Sequence, residues 1–534
     1  ALPRGSGQLH WVLVVVVLMV VPVVVVVVVV VIVVVVVVVV LALAAGCSHA
    51  AELLGYVENW NDATWWDTSM PGDCMQGCFR PGPFLNRTAP FSAINYGFVF
   101  LTPRPNASQL TCHDNPDLDS WVNCPPWDGH SIYISEESKD GSNVIDEDMG
   151  VDNNSPGIVA IAETVRLGRM HPAGPKRTKI SLGGWSDFAR LATDENAVKA
   201  AALVAKLVRY TLADGVDIDM EHLSPFAASF PLRDEFGAMA TFVVALRKEL
   251  DKVADTWVAS VFARKDAMEQ QFSAAFGDEG DGGLETLEDK LSVSPYYETH
   301  LAYLMEVASN GVPHLEISWS TRFNAFVPDD DPYNYLKPGT PKPNTTFETD
   351  NEGKKLWSRI KDSVDTVNIM AYDASGLYFD YEKVLENFVS HGVPKEKIIM
   401  GFEPGEQAAG GKWEGKPVDM ATARMVKRRG FGGCMVWAAN PSSVQAPRGA
   451  VLAPEVAAGL AAILEPTFRW GPAPVYTKAD PESGWLPSNR VRRQNTSPQE
   501  HKDARKHLPA RPALERPRDS LALEPGEDPG QRLT

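Results

Sequence analysis

Residues 214–221 read Asp-Gly-Val-Asp-Ile-Asp-Met-Glu. In an extended chain successive side chains point to opposite faces, so Asp217, Asp219 and Glu221 share one face and Val216, Ile218 and Met220 the other. Carboxylates spaced ~7 Å apart along one face repel each other, and a fold tolerates them only where neighbours or shared protons compensate. The expected result is one carboxyl that stays protonated near neutral pH. A proton on Glu221, at the end of the row, is what a general acid needs to protonate a leaving group. The apolar face demands a buried layer behind the acids, which argues against a solvated acidic strand edge. A magnesium or calcium site is the weaker reading, because no second acidic cluster nearby in sequence supplies the remaining ligands. No metal and no cofactor is called for.

Short apolar runs recur on both sides of this stretch and alternate with segments of helical period. That is the pattern of successive β-α units that closes into an α/β TIM (β/α)8 barrel. The expected strands fall at 53–57, 94–101, 178–182, 216–220, 314–319, 366–370, 397–402 and 432–437. Between them, Ser155 and Pro156 supply a cap and a first-turn proline for one helix, and 197–212 carries an apolar stripe for another. In the longest connection Met239, Phe242, Leu246, Leu250, Val253, Trp257 and Val261 keep helical spacing. This predicts a single long helix running past Asp255, with a second helix over 296–308. The same stripe assigns 257–262 to helix rather than to the fifth strand.

Three further segments stand at strand ends, in order, around the acidic stretch: KISLGGW at 179–185, VNIMAYD at 367–373 and GGCMVW at 432–437. Alone, Gly183 and Gly184 read as a tight turn and Trp437 as a core aromatic. As a set with the acids, the segments resemble glycoside hydrolase family 18, the family of chitinases and related endo-N-acetylglucosaminidases, over roughly residues 52–465. In such barrels the carboxyl ends of the strands carry the active site. The connection 403–418 after the seventh strand is too short for the small domain that many members insert there. The resemblance therefore implies a barrel without that insertion and a more open groove.

It also implies a chemistry. Glu221 is then the acid that protonates the glycosidic oxygen, while the substrate's own 2-acetamido carbonyl attacks the anomeric carbon, with retention of configuration. Asp219 orients the acetamido group and shares a proton with Asp217, and Tyr372 donates to the developing oxazolinium. Trp437 floors the sugar with Tyr56 beside it, and Gly184, Trp185, Met370 and Asp373 complete the substrate-binding set. Trp60, Trp65 and Trp66 read equally as a longer sugar platform or as loop-packing aromatics. The implied partner is chitin or another N-acetylglucosamine-containing glycan. Two alternatives stand beside it: an endo-N-acetylglucosaminidase acting on N-glycans, and a non-catalytic chitin-binding lectin on the same barrel, which the presence of Glu221 disfavours. One departure from the family pattern is HLSP at 222–225, where many members have an aromatic residue and proline. His222 alternates to the face opposite Glu221 and is expected to pack or to start a helix.

The 534 residues divide into an apolar head, one long globular stretch and a polar tail. A formal charge of -18 and a pI near 5.1 argue against a nucleic-acid partner, whose phosphates would be repelled. Residues 11–46 are almost wholly Val, Leu, Ala and Ile and exceed the roughly 20 residues that span a bilayer, so 1–50 is expected to be a signal or membrane-anchor segment. Arg4 precedes it and no Lys or Arg follows until Arg80, which places the bulk of the chain outside, extracellular or anchored facing outward. Ser48 and Ala50 suit a cleavage site. Cys74, Cys78, Cys112 and Cys124 in loop-like sequence, with sequons at Asn86, Asn106, Asn153, Asn344 and Asn495, agree with secretion. Two disulfides in any of three pairings are expected, ahead of a zinc site. Cys434 is expected to be a buried thiol. Beyond Thr467 Pro, Arg, Glu and Asp dominate, so 467–534 reads as a disordered tail and 51–466 as one catalytic barrel. Arg490, Arg492 and Arg493 read as a solvated charge run ahead of a processing site.

Overall fold

The computed structural model describes residues 51–59, 66–67, 78–79, 81–101, 129–134, 144–146, 156–184, 193–221, 235–276, 295–342, 351–372, 379–405, 413–441 and 446–466, with Trp127, Asp187, Leu191 and Gln407. The expectations for the apolar head, the tail, Trp60, Trp65, Cys74, Cys112, Cys124, Trp185, His222 and Asp373 lie outside these residues. So do those for the sequons other than Asn86 and for the side chains of Trp66 and Cys78.

Eight strands form a closed barrel: β1 (Glu52–Glu58), β2 (Ala93–Val99), β3 (Arg177–Gly183), β4 (Gly215–Asp219), β5 (Glu316–Arg322), β6 (Thr366–Met370), β7 (Ile398–Phe402) and β8 (Gly433–Val436). Each pairs in parallel with its sequence neighbour, and β8 closes onto β1. All eight expected strands are present. The helices are α1 (Pro81–Thr88), α2 (Pro156–Arg169), α3 (Asp194–Thr211), α4 (Glu235–Asp255), α5 (Trp257–Phe276), α6 (Pro295–Ser309), α7 (Glu352–Ile360), α8 (Tyr381–Ser390), α9 (Lys416–Arg429) and α10 (Pro447–Leu464). Thr193 caps α3 by accepting from the Asn196 N–H at 3.1 Å, and Leu212 ends it in the left-handed region. Residues 403–415 join β7 to α9, too few for an inserted domain.

The expected long helix through Val261 is instead two helices, α4 and α5, separated at Thr256. The Thr256 hydroxyl donates to the carbonyls of Lys252 at 3.1 Å and Val253 at 3.3 Å, and such back-bonding by a β-branched residue bends a helix. The apolar stripe survives the bend, with Val253, Trp257 and Val261 all buried, which is why period alone does not reveal it. Residues 257–262 are helical, as expected.

Strand alternation sorts the core. Val216 and Ile218 of β4 join the outer layer beneath the helices, where burying an aliphatic side chain contributes about 1.5–3 kcal/mol. Asp217 and Asp219 turn inward and are 0% and 2% exposed. The interior itself is divided. Leu54, Ala93, Ile399 and Met435, from β1, β2, β7 and β8, form an apolar inner cluster. The strands β3 to β6 instead send in polar groups, Lys179, Ser181, Asp217, Ser318, Ser320 and Asn368, all buried. At the amino-terminal end of the barrel Arg177 pairs with both Glu52 and Glu316. Burial works against the Arg177 charge, but these two carboxylates outweigh it and hold the guanidinium more firmly protonated than an ordinary arginine. Asp214, which opens the quoted stretch, is structural: its Oδ2 accepts from the Thr178 N–H at 2.7 Å and sets β4 against β3. Cys434 is a buried free thiol whose proton burial holds on, as expected.

Candidate active site at the carboxyl end of the barrel

The acidic row runs from mid-barrel to the rim. Asp217 lies deepest, and five donors converge on its two oxygens. Oδ2 accepts from the Tyr56 phenol at 2.7 Å and the Ser181 hydroxyl at 2.7 Å. Oδ1 accepts from Ser318 at 2.6 Å, Ser320 at 2.9 Å and the Asn368 amide at 3.0 Å. The Lys179 ammonium donates to Ser318 Oγ at 3.0 Å, so a buried cation stands one hydroxyl away from the carboxylate. Burial, with the charges of Asp217 and Asp219, raises the Tyr56 phenol well above its ordinary range, so it remains a donor. Tyr56 is thus both a partner of Asp217 and, through its ring, a neighbour of Trp437.

Asp219 ends β4 one layer higher, and the turn that follows β3 is built around it. The Gly184 N–H donates to the Asp219 carbonyl at 2.6 Å. Gly183 has φ +110°, and a Cβ there would come within 2.3 Å of that carbonyl. Gly184 has φ +80°, and a Cβ there would come within 2.6 Å of the Phe98 ring. Both positions need glycine, for backbone conformation and for space. The structure places Gly184 as a support for Asp219 and Phe98, behind the site's surface.

Glu221, two residues past β4, is about a tenth exposed and pairs with the Arg322 guanidinium, Nη2 to Oε2, at 2.9 Å. Across the rim Met370 ends β6, and Tyr372 follows it, 8% exposed; both belong to the inner cluster with Tyr56. Trp437 follows β8 and is half-buried. Its ring lies 5.2 Å from Tyr56 and 5.6 Å from Phe98, the latter stacked at 21°. Its backbone N–H donates to the Phe402 carbonyl at 2.9 Å, which ties it to β7. The peptide bonds Gly97–Phe98 and Trp437–Ala438 are cis.

Strand ends therefore bring Tyr56, Asp217, Asp219, Glu221, Met370, Tyr372 and Trp437 to one end of the barrel, with Gly184 beneath. Trp185 and Asp373 lie outside the described residues. Sequence reasoning missed Arg322, Phe98 and the hydroxyl and amide ring of Ser318, Ser320 and Asn368. The signal for Arg322 was the alternation Glu316, Ser318, Ser320, Arg322 in β5, which puts a charged residue at an inward-facing strand end. A row of carboxylates ending on a rim acid, with a phenol and a half-buried indole at the same end of the barrel, can hold a sugar ring and protonate a bond to it.

No family model and no curated protein matches the sequence. Chitinases are among the solved structures of similar shape. A multi-modular cell-surface chitinase from Paenibacillus sp. str. FPU-7 aligns at 12% identity and TM-score 0.42, over 78% of this chain and 43% of that one, so this chain spans less than half of it. A GH18 chitinase mutant from Cycas revoluta in complex with (GlcNAc)4 aligns at 13% identity and TM-score 0.39, over 77% of this chain and 99% of that one. A GH18 chitinase from Pseudoalteromonas aurantia aligns at 15% identity and TM-score 0.36, over 73% and 94%. With TM-scores below 0.5, these likenesses add no weight to the reading, which rests on the residues of this chain.

Proposed function

We propose that this protein hydrolyses β-1,4 linkages between N-acetylglucosamine units, in chitin or chito-oligosaccharides, with retention of configuration and with the substrate's acetamido group as nucleophile. The observation that carries the reading is the acidic row itself: Asp217 locked by five donors, Asp219 held above it, and Glu221 at the rim opposite Tyr372 and Trp437. A pyranose face laid on the Trp437 indole sets the scissile bond near Glu221. The Glu221 carboxyl gives its proton to the glycosidic oxygen as the bond from that oxygen to the anomeric carbon breaks. The acetamido carbonyl oxygen closes on the same carbon and forms an oxazolinium. Asp219 offsets the positive charge that develops on the acetamido nitrogen, and Tyr372 donates to its oxygen. Water then attacks the anomeric carbon as its bond to the acetamido oxygen breaks, gives a proton to the Glu221 carboxylate and regenerates the acid. Residues 403–415 are too few to build an extra domain over the cleft, which supports an open groove. The apolar run at 11–46 and the sequons support a location outside the cytoplasm, where such a polymer would be met.

The test is product chromatography on N-acetylglucosamine oligomers and colloidal chitin, beside Glu221→Gln. Short oligomers released by the parent alone bear the reading out. Binding without cleavage by both proteins refutes hydrolysis in favour of a lectin, and neither binding nor cleavage redirects the substrate to N-glycans.

A further inference from the structure

The Glu221–Arg322 pair has no part in the mechanism above, and its geometry bears directly on the acid. Arg322 is the last residue of β5 and faces inward by the alternation that turns Glu316, Ser318 and Ser320 inward. In register it lies against Met370 of β6, two residues before Tyr372, so β5 presents it on the rim between the acidic row and the phenol. Its Nη2 meets Oε2 of Glu221 at 2.9 Å, with side-chain exposures of 12% and 10%. A charge-assisted contact so poorly exposed is screened far less than a surface pair.

We infer that Arg322 is the positioning residue of the acid: by occupying Oε2 it fixes the Glu221 carboxyl and leaves Oε1 as the oxygen that delivers the proton to the glycosidic bond and later recovers it from water. This rests on the hydrolytic reading above. A fixed cation stabilises the carboxylate that remains once the proton has left, which favours transfer. Among the described residues, the other ionisable groups at this end of the barrel are Asp219 and Asp217 from β4, Tyr372 after β6, Tyr56 and Glu58 from β1, Glu403 after β7 and, deeper, Lys179 from β3. The acidic groups oppose Arg322, so removing it leaves them unopposed.

The decisive experiment reads the carboxyl itself as well as turnover. The protonated Glu221 C=O stretch, identified by its loss in Glu221→Gln, is titrated by difference infrared spectroscopy in the parent, Arg322→Met and Arg322→Lys. Rate profiles on an N-acetylglucosamine tetramer are recorded on the same proteins. In Arg322→Met the titration midpoint is expected to rise by about one pH unit or more, the low end for loss of an adjacent opposite charge. The alkaline limb of kcat/KM should move with it, kcat below that limb should fall about 10-fold as the acid loses its fixed orientation, and KM should change less than about 2-fold. Arg322→Lys, which keeps the charge but not the planar fork, should return the midpoint and recover only part of kcat. A midpoint unchanged in Arg322→Met overturns the inference, and so does a shifted midpoint with an unshifted rate limb. A shifted midpoint in Arg322→Met beside a parent that binds but cleaves no oligomer refutes the hydrolytic reading and, with it, the catalytic role of Arg322, while the charge pair stands.

Discussion

Replacing Asp217 tests the interior of the barrel most directly. The Asp217→Ala variant removes one acceptor group from among five donors in a site with 0% exposure. Not all five are stranded. The Tyr56 and Ser320 hydroxyls lie 2.5 Å apart, so one can donate to the other while the acceptor's own proton is stranded, and the Asn368 amide already reaches Ser320 Oγ at 3.2 Å. The Ser181 hydroxyl loses the acceptor it has at 2.7 Å, and Ser318, which accepts from Lys179, loses the acceptor for its own proton. Three stranded buried donors at about 1–3 kcal/mol each give a loss of roughly 6 kcal/mol, before any cost of leaving the Lys179 charge without its carboxylate. That is a large share of the roughly 5–15 kcal/mol by which domains are stable. Asp217→Asn keeps one acceptor oxygen, and its new amide hydrogens meet hydroxyls that can accept, so it should lose less than half as much. Urea denaturation followed by circular dichroism measures both. If Asp217→Ala loses under 1 kcal/mol, or Asp217→Asn loses as much as Asp217→Ala, the five-donor lock is not what holds the acidic row in place.

Three further outcomes are expected. Arg177→Met leaves Glu52 and Glu316 buried without their cation and should lose about 3–5 kcal/mol by the same denaturation assay. Asp419 is buried and pushed up to about 7, by burial first, against the Trp413 indole that donates to it at 2.9 Å, and with Glu414 adding to the rise. The folded chain therefore holds this proton between pH ~4 and about 7 while the unfolded chain has lost it, so this group lowers stability as pH rises through that window. Asp419→Asn should match its parent near pH 4 and exceed it above pH 7 by a few kcal/mol in paired thermal melts; equal stability at pH 8 would refute the shift. Trp437→Ala removes the indole stacked on Phe98 and should weaken N-acetylglucosamine tetramer binding about 10-fold by calorimetry, on a stacking contribution of about 1–1.5 kcal/mol. An unchanged Kd would take Trp437 off the sugar-binding face.

The acidic row was legible because alternation is local. A period of two puts Asp217, Asp219 and Glu221 on one face whatever surrounds them, and Val216 and Ile218 announce the outer layer on the other. The barrel was legible for the same kind of reason, since β7 and β8 are short apolar runs and β3, β4 and β6 alternate apolar with polar residues, all set between helical stretches. The break at Thr256 was not, because a hydroxyl that bonds back to the preceding turn leaves the apolar stripe intact. Nor was the double duty of Tyr56, which reads as a floor aromatic until its phenol is seen on Asp217.

From the sequence alone came the eight-stranded barrel, the end of it that holds the acidic row, and the residue types in that row: each depends on period, composition and order along one segment. Only the tertiary structure decided what those residues touch. Ser318, Ser320 and Arg322 lie about 100 positions from the carboxylates they bind, on a strand that reaches β4 only after the long excursion through α4, α5 and α6. Hydrogen bonds and ion pairs act over about 3 Å, and closure of the barrel, not proximity in the chain, brings those groups within that range.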